Sequence, residues 1–361
     1  GPAWQTSVLT RNLDPERFET RLLVGNTADD EADFVALRDP GLPVVTVRGL
    51  GRAPALLDDF RALVGICREI RRFRPHIVHT HTAKAGVLGR VAAVICRVPV
   101  RVHTFHGHLL HGYFSPFVSR LVRIVEWVLA RRTTALVSVG EQVRDDLLAA
   151  GIGRPGTYVV IPPGVAAPKA VERGHARQAL AIPEGAQVAM FVGRLTSIKR
   201  VDRLLEAFGM VLERVPGAVL AIAGEGDLLE ELQAEAEPLG DSVRFLGWQS
   251  DLTLLYAAAD LVVISSDNEG MPVTLIEAAM AGVPGVTTDV GSASEVVEDG
   301  VTGRVVSTDA LALADAMAQL LEDEDHRGRM GDRAAVRAAE MFGVQRLVAD
   351  HEHLYGRLLS A

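Results

Sequence analysis

The sequence has few cysteines and no long apolar run. Its only two cysteines, Cys67 and Cys96, lack CxxC spacing, so we expect buried thiols rather than a disulfide framework or a cysteine zinc site. No stretch of about eighteen apolar residues occurs, so the sequence predicts no membrane-spanning helix. No secretory signal is visible either, and we expect a cytoplasmic protein.

The chain carries a net charge of −9, which is distributed unevenly between its halves. Residues 1–165 contain 21 Lys and Arg against 15 Asp and Glu, whereas residues 166–361 contain 16 against 31. A basic first half indicates contact with something anionic, or else only a drift of solvated surface charge. The 361 residues, of which 48% are hydrophobic, are enough for two domains with sizeable cores.

Short β-rich runs alternate with helical patterns in both halves, which is typical of βαβ units with parallel sheets. Pro162-Pro163-Gly164 interrupts the alternation and suits a domain linker. The sequence therefore predicts an α/β protein with two doubly wound, Rossmann-like domains, residues 1–165 and 166–342. Residues 343–361 form a last helix with an apolar stripe, which we expect to pack back on the first domain.

The segment from Ser265 to Ala278 is the most informative for chemistry. A strand ends near Ser265, a polar loop with Gly270 follows, and Pro272 suits the start of a helix. Glu269 lies just before that helix and Glu277 lies one or two turns into it. A helix start with free backbone N–H groups binds anions, and the two carboxylates are far enough apart to serve different hydroxyls. The alternative is a dipole-complementing Glu and a surface Glu.

Two further strand-end loops carry polar or glycine-rich residues. In the first, Arg194 and Lys199 are placed to neutralise a diphosphate without a metal, or they are two solvated basic residues. In the second, Gly224 and Gly226 form a G-x-G, but the third glycine position of a dinucleotide fingerprint is Leu229. A hydride-transfer enzyme is therefore disfavoured.

The loop His103–His111 is rich in histidine and, with His79 and His81, admits two interpretations. One is a metal site, but no H-E-x-x-H pattern and no nearby carboxylate support it. The other, which we favour, is a loop in which one imidazole contacts a polar ligand.

The segment Phe114–Arg132 mixes apolar residues with arginines. It suits either a helix at an anionic lipid surface or a buried helix of an α/β layer, and the second is the commoner arrangement.

These motifs together resemble family four of the retaining GT-B glycosyltransferases. The resemblance rests on EGMPVTLIEAAMAGVP, with its E-x-seven-E pattern, on GRLTSIKRVDRLLEAF, AGEGD and VRFLGW, and on TFHGH in the first half. It covers essentially the whole chain and implies two Rossmann-like domains facing a cleft. Family members normally begin with a β-strand and a glycine-rich loop. Here that strand is absent and at most Gly1 remains of the loop, so the resemblance implies a less stable or inactive chain.

The resemblance also implies a role for each matching residue. Arg194 and Lys199 would hold the donor diphosphate, and Glu277 the ribose. Glu269 would contact the transferred sugar and phosphate, and His106 would face the sugar. The implied donor-binding set is completed by Gly224, Gly226, Leu246, Trp248, Gly270, Met271 and Pro272. The implied acceptor side comprises Gly1, His81, Lys84 and His106, and no metal is implied.

The function implied is retaining transfer of a sugar from a nucleotide diphosphate donor, which we expect to be UDP-linked, without a cofactor. The donor phosphate would help to deprotonate the acceptor on the same face. We expect a saccharide or lipid-linked acceptor, an anionic membrane surface as a further partner at the inner face of the cell membrane, and no nucleic acid. The alternatives are a sugar-nucleotide epimerase of the same fold and a non-catalytic nucleotide-sugar-binding protein.

Overall fold

A computed structural model of the chain describes residues 2–26, 39–51, 55–107 and 116–360. It divides into two compact units: unit 1 comprises Gly1–Gly164 and Val344–Ala361, and unit 2 comprises Val165–Gly343. Both units have parallel strands with helices between them, which confirms the predicted α/β fold with two Rossmann-like domains. Among the described residues, no helix is long and apolar enough to cross a membrane.

Unit 1 has its strands in two separate sheets. In chain order the strands are β1 (Leu22–Val24), β2 (Val44–Thr46), β3 (Ile77–His81), β4 (Val100–Phe105), β5 (Ala135–Ser138) and β6 (Tyr158–Val160). β1 pairs only with β2, while β3, β4, β5 and β6 form a sheet in that order. Among the described residues no ladder joins β1 to β3, so the two sheets of unit 1 are separate.

The helices of unit 1 before the linker lie between these strands. They are α1 (Pro2–Asn12), α2 (Leu56–Phe73), α3 (Ala83–Ile95), α4 (Pro116–Ala130) and α5 (Glu141–Ala149). Two glycines bring α3 close to the four-stranded sheet. A Cβ on Gly86 would lie 2.4 Å from the ring of His103, and one on Gly89 would lie 2.7 Å from the methyl group of Thr80. The sequence can place a helix this near only because both positions lack side chains.

Unit 2 has six parallel strands in one sheet, β7 (Gln187–Val192), β8 (Ala218–Ala223), β9 (Val243–Gly247), β10 (Leu261–Ile264), β11 (Gly285–Thr288) and β12 (Gly303–Val306). Their order is β12-β11-β10-β7-β8-β9. The chain proceeds from β7 in one direction, then returns to the other side of β7 with β10. The gap between the carboxyl ends of β7 and β10 is therefore the topological switch point, where ligands bind in open α/β sheets.

The helices of unit 2 are α6 (Arg173–Ala179), α7 (Val201–Arg214), α8 (Leu229–Ala236), α9 (Leu252–Ala258), α10 (Val273–Met280), α11 (Ala293–Val296), α12 (Ala310–Glu322) and α13 (Glu324–Phe342). The core combines strand residues such as Phe191 and Leu220 with Phe208 of α7 and Met317 of α12. The sequence analysis did not predict α13, whose start is capped by Asp323, which accepts a hydrogen bond from the N–H of His326 at 2.8 Å.

The last helix, α14 (Val344–Leu359), belongs to unit 1 although it follows unit 2 in the chain. Its Leu354 and Tyr355 lie in the same apolar cluster as Val102 of β4. Arg346 donates hydrogen bonds of 2.8 Å to the carbonyls of Pro162 and Pro163. The apolar stripe read in the sequence is therefore buried against the four-stranded sheet.

Candidate functional site

The loops that follow β7 and β10 meet at the switch point of unit 2. The Lys199 ammonium lies 2.5 Å from the Glu269 carboxylate, which also accepts a hydrogen bond of 2.6 Å from the Ser266 hydroxyl. The Glu269 side chain is 9% exposed and that of Lys199 is 24% exposed. The structure thus brings together two residues that lie 70 positions apart and that the sequence analysis had selected independently.

A second layer of polar contacts holds these loops together. The N–H of Asp267 donates to the carbonyl of Ile198 at 2.9 Å, and the Ser265 hydroxyl donates to the carbonyl of Lys199 at 2.9 Å. Arg203 donates to the Ser265 carbonyl at 2.8 Å and to the Asp267 carboxylate at 2.6 Å. Burial raises the pKa of Asp267, but hydrogen bonds from Arg203 and then Arg200 outweigh it and leave that pKa below its usual value.

The loop after β11 packs against the backbone of the Glu269 segment. Gly291 has φ of 52°, and a Cβ at this position would lie 1.9 Å from the carbonyl oxygen of Glu269. The N–H of the next residue, Ser292, donates to the Gly270 carbonyl at 2.8 Å. Only glycine permits this close backbone approach. Gly291 was not predicted from the sequence, although a glycine in a strand-end loop and before small residues is a signal for such packing.

Glu277 is fixed by a tyrosine that the sequence analysis also missed. The Tyr256 hydroxyl, on α9, donates to the Glu277 carboxylate at 2.7 Å, and Tyr256 is 2% exposed. The carboxylate therefore has a defined position on α10. Nothing in the local sequence around Tyr256 signals this contact, because it depends on how α9 and α10 lie in the folded unit.

The glycines of the G-x-G loop allow the backbone after β8 to lie close to the backbone after β7. Gly224 has φ of 146°, and a Cβ there would lie 1.8 Å from the Gly193 carbonyl oxygen, while one on Gly226 would lie 2.3 Å from that of Leu195. The N–H of Gly224 donates to the carbonyl of Gly247 at 2.8 Å. These glycines let three strand-end loops pack against one another, including the loop that carries Arg194.

The other predicted donor-binding residues differ in exposure. Leu246 is half-buried, Trp248 is exposed, and Gly270 is half-buried. Met271 and Pro272 are buried. Pro272 precedes α10, and its side chain cannot cap the first-turn N–H groups of the helix.

In unit 1, histidines gather at the carboxyl ends of β3 and β4. His81 is the last residue of β3 and His106 follows β4, and their Nδ1 and Nε2 atoms are 3.0 Å apart. Both side chains, with His351 of α14, line a cavity of about 20 Å³, which is large enough for one water molecule.

Burial keeps this histidine cluster neutral. It lowers the pKa of His106 to about 3 and that of His351 to about 4, and it holds the pKa values of His79, His81 and His103 well below the usual range. Repulsion from neighbouring histidines adds to the effect on His79 and His81. A neutral imidazole has one donor and one acceptor nitrogen, so each ring can orient a hydroxyl.

The remaining acceptor-side residues lie next to this cluster in the chain. Lys84, in the first turn of α3, pairs with Asp59 of α2 at 2.5 Å. Thr82, between β3 and α3, has φ of 62°, a strained conformation for a β-branched residue of the kind found at functional sites. Gly1 and His108–His111 lie outside the described residues.

Within the described ranges, no group of three or more His, Cys, Asp or Glu side chains is arranged to hold a metal ion. The histidines of β3 and β4 instead bond to hydroxyls and to each other. His79, for example, contacts the Tyr355 hydroxyl at 2.6 Å and the Thr104 hydroxyl at 2.7 Å.

The helix α4 presents an apolar face to solvent. Phe117 is 79% exposed, Leu121 54% and Ile124 49%, so the interpretation of this segment as a buried helix is wrong for this face. The opposite face is anchored by a buried ion pair, in which Arg90 of α3 lies 2.7 Å from Glu126.

Comparison with known proteins agrees with this geometry. The profile "Glycosyl transferase 4-like domain" matches residues 1–164, and "Glycosyl transferases group 1" matches residues 172–337. A D-inositol 3-phosphate glycosyltransferase of Corynebacterium jeikeium is 32% identical, with 94% of this chain and 88% of that protein covered. The Escherichia coli UDP-Gal:alpha-D-GlcNAc-diphosphoundecaprenol alpha-1,3-galactosyltransferase is 27% identical over 86% of this chain and 82% of its own.

The solved structures include the Anabaena protein HepE in complex with UDP-glucose. It superposes with a TM-score of 0.84 at 25% identity, over 99% of this chain and 96% of HepE. Two Rossmann-like units with this likeness define the class of GT-B glycosyltransferases. Within that class, the chain belongs to family four, the glycosyl transferases group 1.

Proposed function

We propose that this glycosyltransferase transfers a sugar, with retention of anomeric configuration, from a UDP-linked donor to a lipid-linked saccharide at the cytoplasmic face of a membrane. The Lys199–Glu269 pair at the switch point of unit 2 is the observation that carries the donor part. The UDP-glucose complex of HepE supports the choice of UDP. The diphosphoundecaprenol-linked substrate in the name of the E. coli relative supports the acceptor class.

The donor diphosphate is held by charge and by backbone dipoles. Lys199, fixed by its contact with Glu269, and Arg194 in the same loop neutralise the phosphate oxygens as the bond to the sugar breaks. The uncapped first turn of α10 adds N–H groups directed at the same charge. These groups suffice for a leaving group that departs without a metal.

The two glutamates have different tasks because different neighbours fix them. Glu277, held by Tyr256, accepts hydrogen bonds from the ribose hydroxyls of the donor. Glu269, with the backbone of Gly270, contacts the transferred sugar. In unit 1, His106 binds a hydroxyl of a sugar substrate as a neutral imidazole.

Replacing Glu277 with alanine is expected to weaken UDP binding about 10- to 150-fold. The loss corresponds to about 1.5–3 kcal/mol for a hydrogen bond to a charged group. Titration calorimetry with UDP measures it directly. Tyr256→Phe removes only the hydroxyl that positions Glu277 and should weaken binding less.

The matched control for Glu277 is Glu213→Ala, which removes an exposed carboxylate of α7 from the same unit. Its UDP affinity should equal that of the wild type. If Glu277→Ala also binds UDP with wild-type affinity, Glu277 does not contact the ribose.

The membrane part of the proposal rests on α4. Phe117, Leu121, Ile124 and Val128 are spaced as one helical face, and all are exposed. Arg120 and Arg123 border this face, whereas the acidic residue of α4, Glu126, is buried against Arg90. An exposed apolar stripe flanked only by basic residues suits a helix that lies in the interface of an anionic bilayer.

We therefore expect the protein to sediment with vesicles that contain phosphatidylglycerol but not with pure phosphatidylcholine, and less at higher salt. Each arginine near an anionic surface contributes roughly 1 kcal/mol. The double variant Arg120→Gln/Arg123→Gln should therefore bind about 30-fold more weakly. Phe117→Ser should also reduce binding, because it removes apolar area from the inserted face.

The control for this experiment is Leu311→Ser, which removes a side chain that is 61% exposed on α12 of unit 2. It should bind vesicles like the wild type. Wild-type protein that stays in the supernatant at low and physiological salt would refute membrane docking. Concentration-dependent dimerisation that Phe117→Ser abolishes would assign the face to a second copy of the chain instead.

A further inference from the structure

The side chains of His81 and His106 contact each other in unit 1. They stand at the carboxyl ends of neighbouring parallel strands, with His81 Nδ1 3.0 Å from His106 Nε2 and the ring centres 5.2 Å apart. The ring planes are tilted by 33° to each other, and the distance between the two nitrogens is that of a hydrogen bond. The pair is therefore a hydrogen bond between two imidazoles.

In a hydrogen bond between two neutral imidazoles, one ring donates its N–H and the other accepts with its unprotonated nitrogen. Burial is the main reason why both rings are uncharged near neutral pH. If His81 Nδ1 is protonated, it donates the hydrogen bond to His106 Nε2, and His106 is then protonated at Nδ1. The reverse arrangement leaves Nδ1 of His106 as an acceptor. The tautomer of His81 therefore decides whether the other nitrogen of His106 donates or accepts.

His81 itself is held firmly. The ring of His79, two residues earlier on the same face of β3, packs against it at 4.3 Å between ring centres. His79 is bound at both nitrogens, by Tyr355 of α14 and Thr104 of β4. On the other side, Thr82 holds the strained φ of 62° directly after His81. A residue placed with this much support is suited to orient a neighbour.

We propose that His81 is a positioning residue for sugar transfer, which fixes the tautomer and ring orientation of His106 through their shared hydrogen bond. The proposal rests on the function given above, in which His106 binds a sugar hydroxyl. His81 does not contact the substrate in this account. It acts only through His106, and α14 supports it through Tyr355 and His79.

The test combines turnover with a direct view of the imidazoles. His81→Phe keeps a ring but removes both nitrogens, and His81→Asn restores a polar group near the position of Nδ1. We expect His81→Phe to lower kcat about 10-fold, the equivalent of one neutral hydrogen bond, and His81→Asn to recover most of it. His81→Phe/His106→Ala should be no slower than His106→Ala alone, because both changes remove the same interaction.

Nitrogen-15 spectra of histidine-labelled protein report the tautomer without any turnover. The wild type should show His106 in one neutral tautomer, and His81→Phe should show a mixture or the other tautomer. Identical His106 signals in both proteins would overturn the proposal. His353→Phe, the same change at an exposed histidine of α14, is the matched control and should alter neither readout.

The role of His106 in sugar transfer and the positioning role of His81 can be refuted separately. If His106→Ala turns over at the wild-type rate, His106 has no role in transfer and the proposed function loses that contact. The spectra still decide whether His81 sets the tautomer of His106. If His106→Ala is slow and His81→Phe is as fast as the wild type, the positioning role is wrong while the function stands.

Discussion

Replacing Lys199 with alanine is expected to lower the rate of sugar transfer about 100- to 1,000-fold, the usual cost of removing one preorganised group that stabilises transition-state charge. Lys199 lies at the switch point with its ammonium 2.5 Å from Glu269, so its charge is in place before the donor binds. Steady-state kinetics with saturating donor measure the loss. Neither added Mg²⁺ nor Mn²⁺ should restore the rate, and EDTA should not lower that of the wild type.

A double substitution separates this role from a structural ion pair. If Lys199 only neutralises Glu269, the variant Lys199→Ala/Glu269→Gln should be as active as Glu269→Gln alone, because the lysine then has no charge left to neutralise. We expect it to be much slower than Glu269→Gln alone, because the donor phosphate still lacks the ammonium. Lys169→Ala, at an exposed lysine near the start of unit 2, is the matched control and should keep full activity.

Mild acid is expected to destabilise unit 1. The buried histidines of unit 1 have lower pKa values in the folded chain than in the unfolded chain. Below about pH 6.5 the unfolded chain therefore binds more protons, and the free energy of unfolding decreases as the pH is lowered. At pH 5.5, His106 and His351 each lower the free energy of unfolding by about 1.4 kcal/mol. His106 and His351 alone should lower the Tm of the unit by roughly 6–12 °C between pH 7.5 and 5.5.

Calorimetry at the two pH values, with His351→Gln and His175→Gln beside the wild type, provides the check. His351→Gln should reduce the difference between the Tm at pH 7.5 and the Tm at pH 5.5, because the unfolded state loses one proton-binding site. His175, exposed on α6 of unit 2, should leave the difference unchanged. A wild-type Tm that is the same at pH 5.5 and 7.5 would show that the cluster accepts protons without cost.

The parts of the fold that follow from local pattern were predictable, and those that depend on packing were not. Strand-end loops could be recognised from Gly193–Arg200 and Ser265–Pro272, and parallel sheets bring such ends together. The pattern could not give the strand order, which alone makes these two loops neighbours. It also missed α13, because arginines, glycines and a histidine interrupt its apolar periodicity.

Residues that support the site from elsewhere in the chain left little trace in the sequence. Tyr256 looks like a core aromatic, and Arg203 looks like a surface residue of α7. Yet Tyr256 fixes Glu277 on α10 and Arg203 fixes Asp267 in the loop after β10. The exposed face of α4 was ambiguous for a related reason. Apolar spacing shows that a helix has a face, and only the fold shows whether that face is covered.

The most direct test of the account is to incubate the full-length protein with UDP-sugars, with and without a lipid-linked saccharide, and to analyse both UDP and the product. We predict that UDP is released only when the acceptor is present, and that nuclear magnetic resonance of the product shows the anomeric configuration of the donor. Release of a free epimerised sugar nucleotide without acceptor, an inverted glycosidic bond, or tight UDP binding with no turnover on any donor would contradict it.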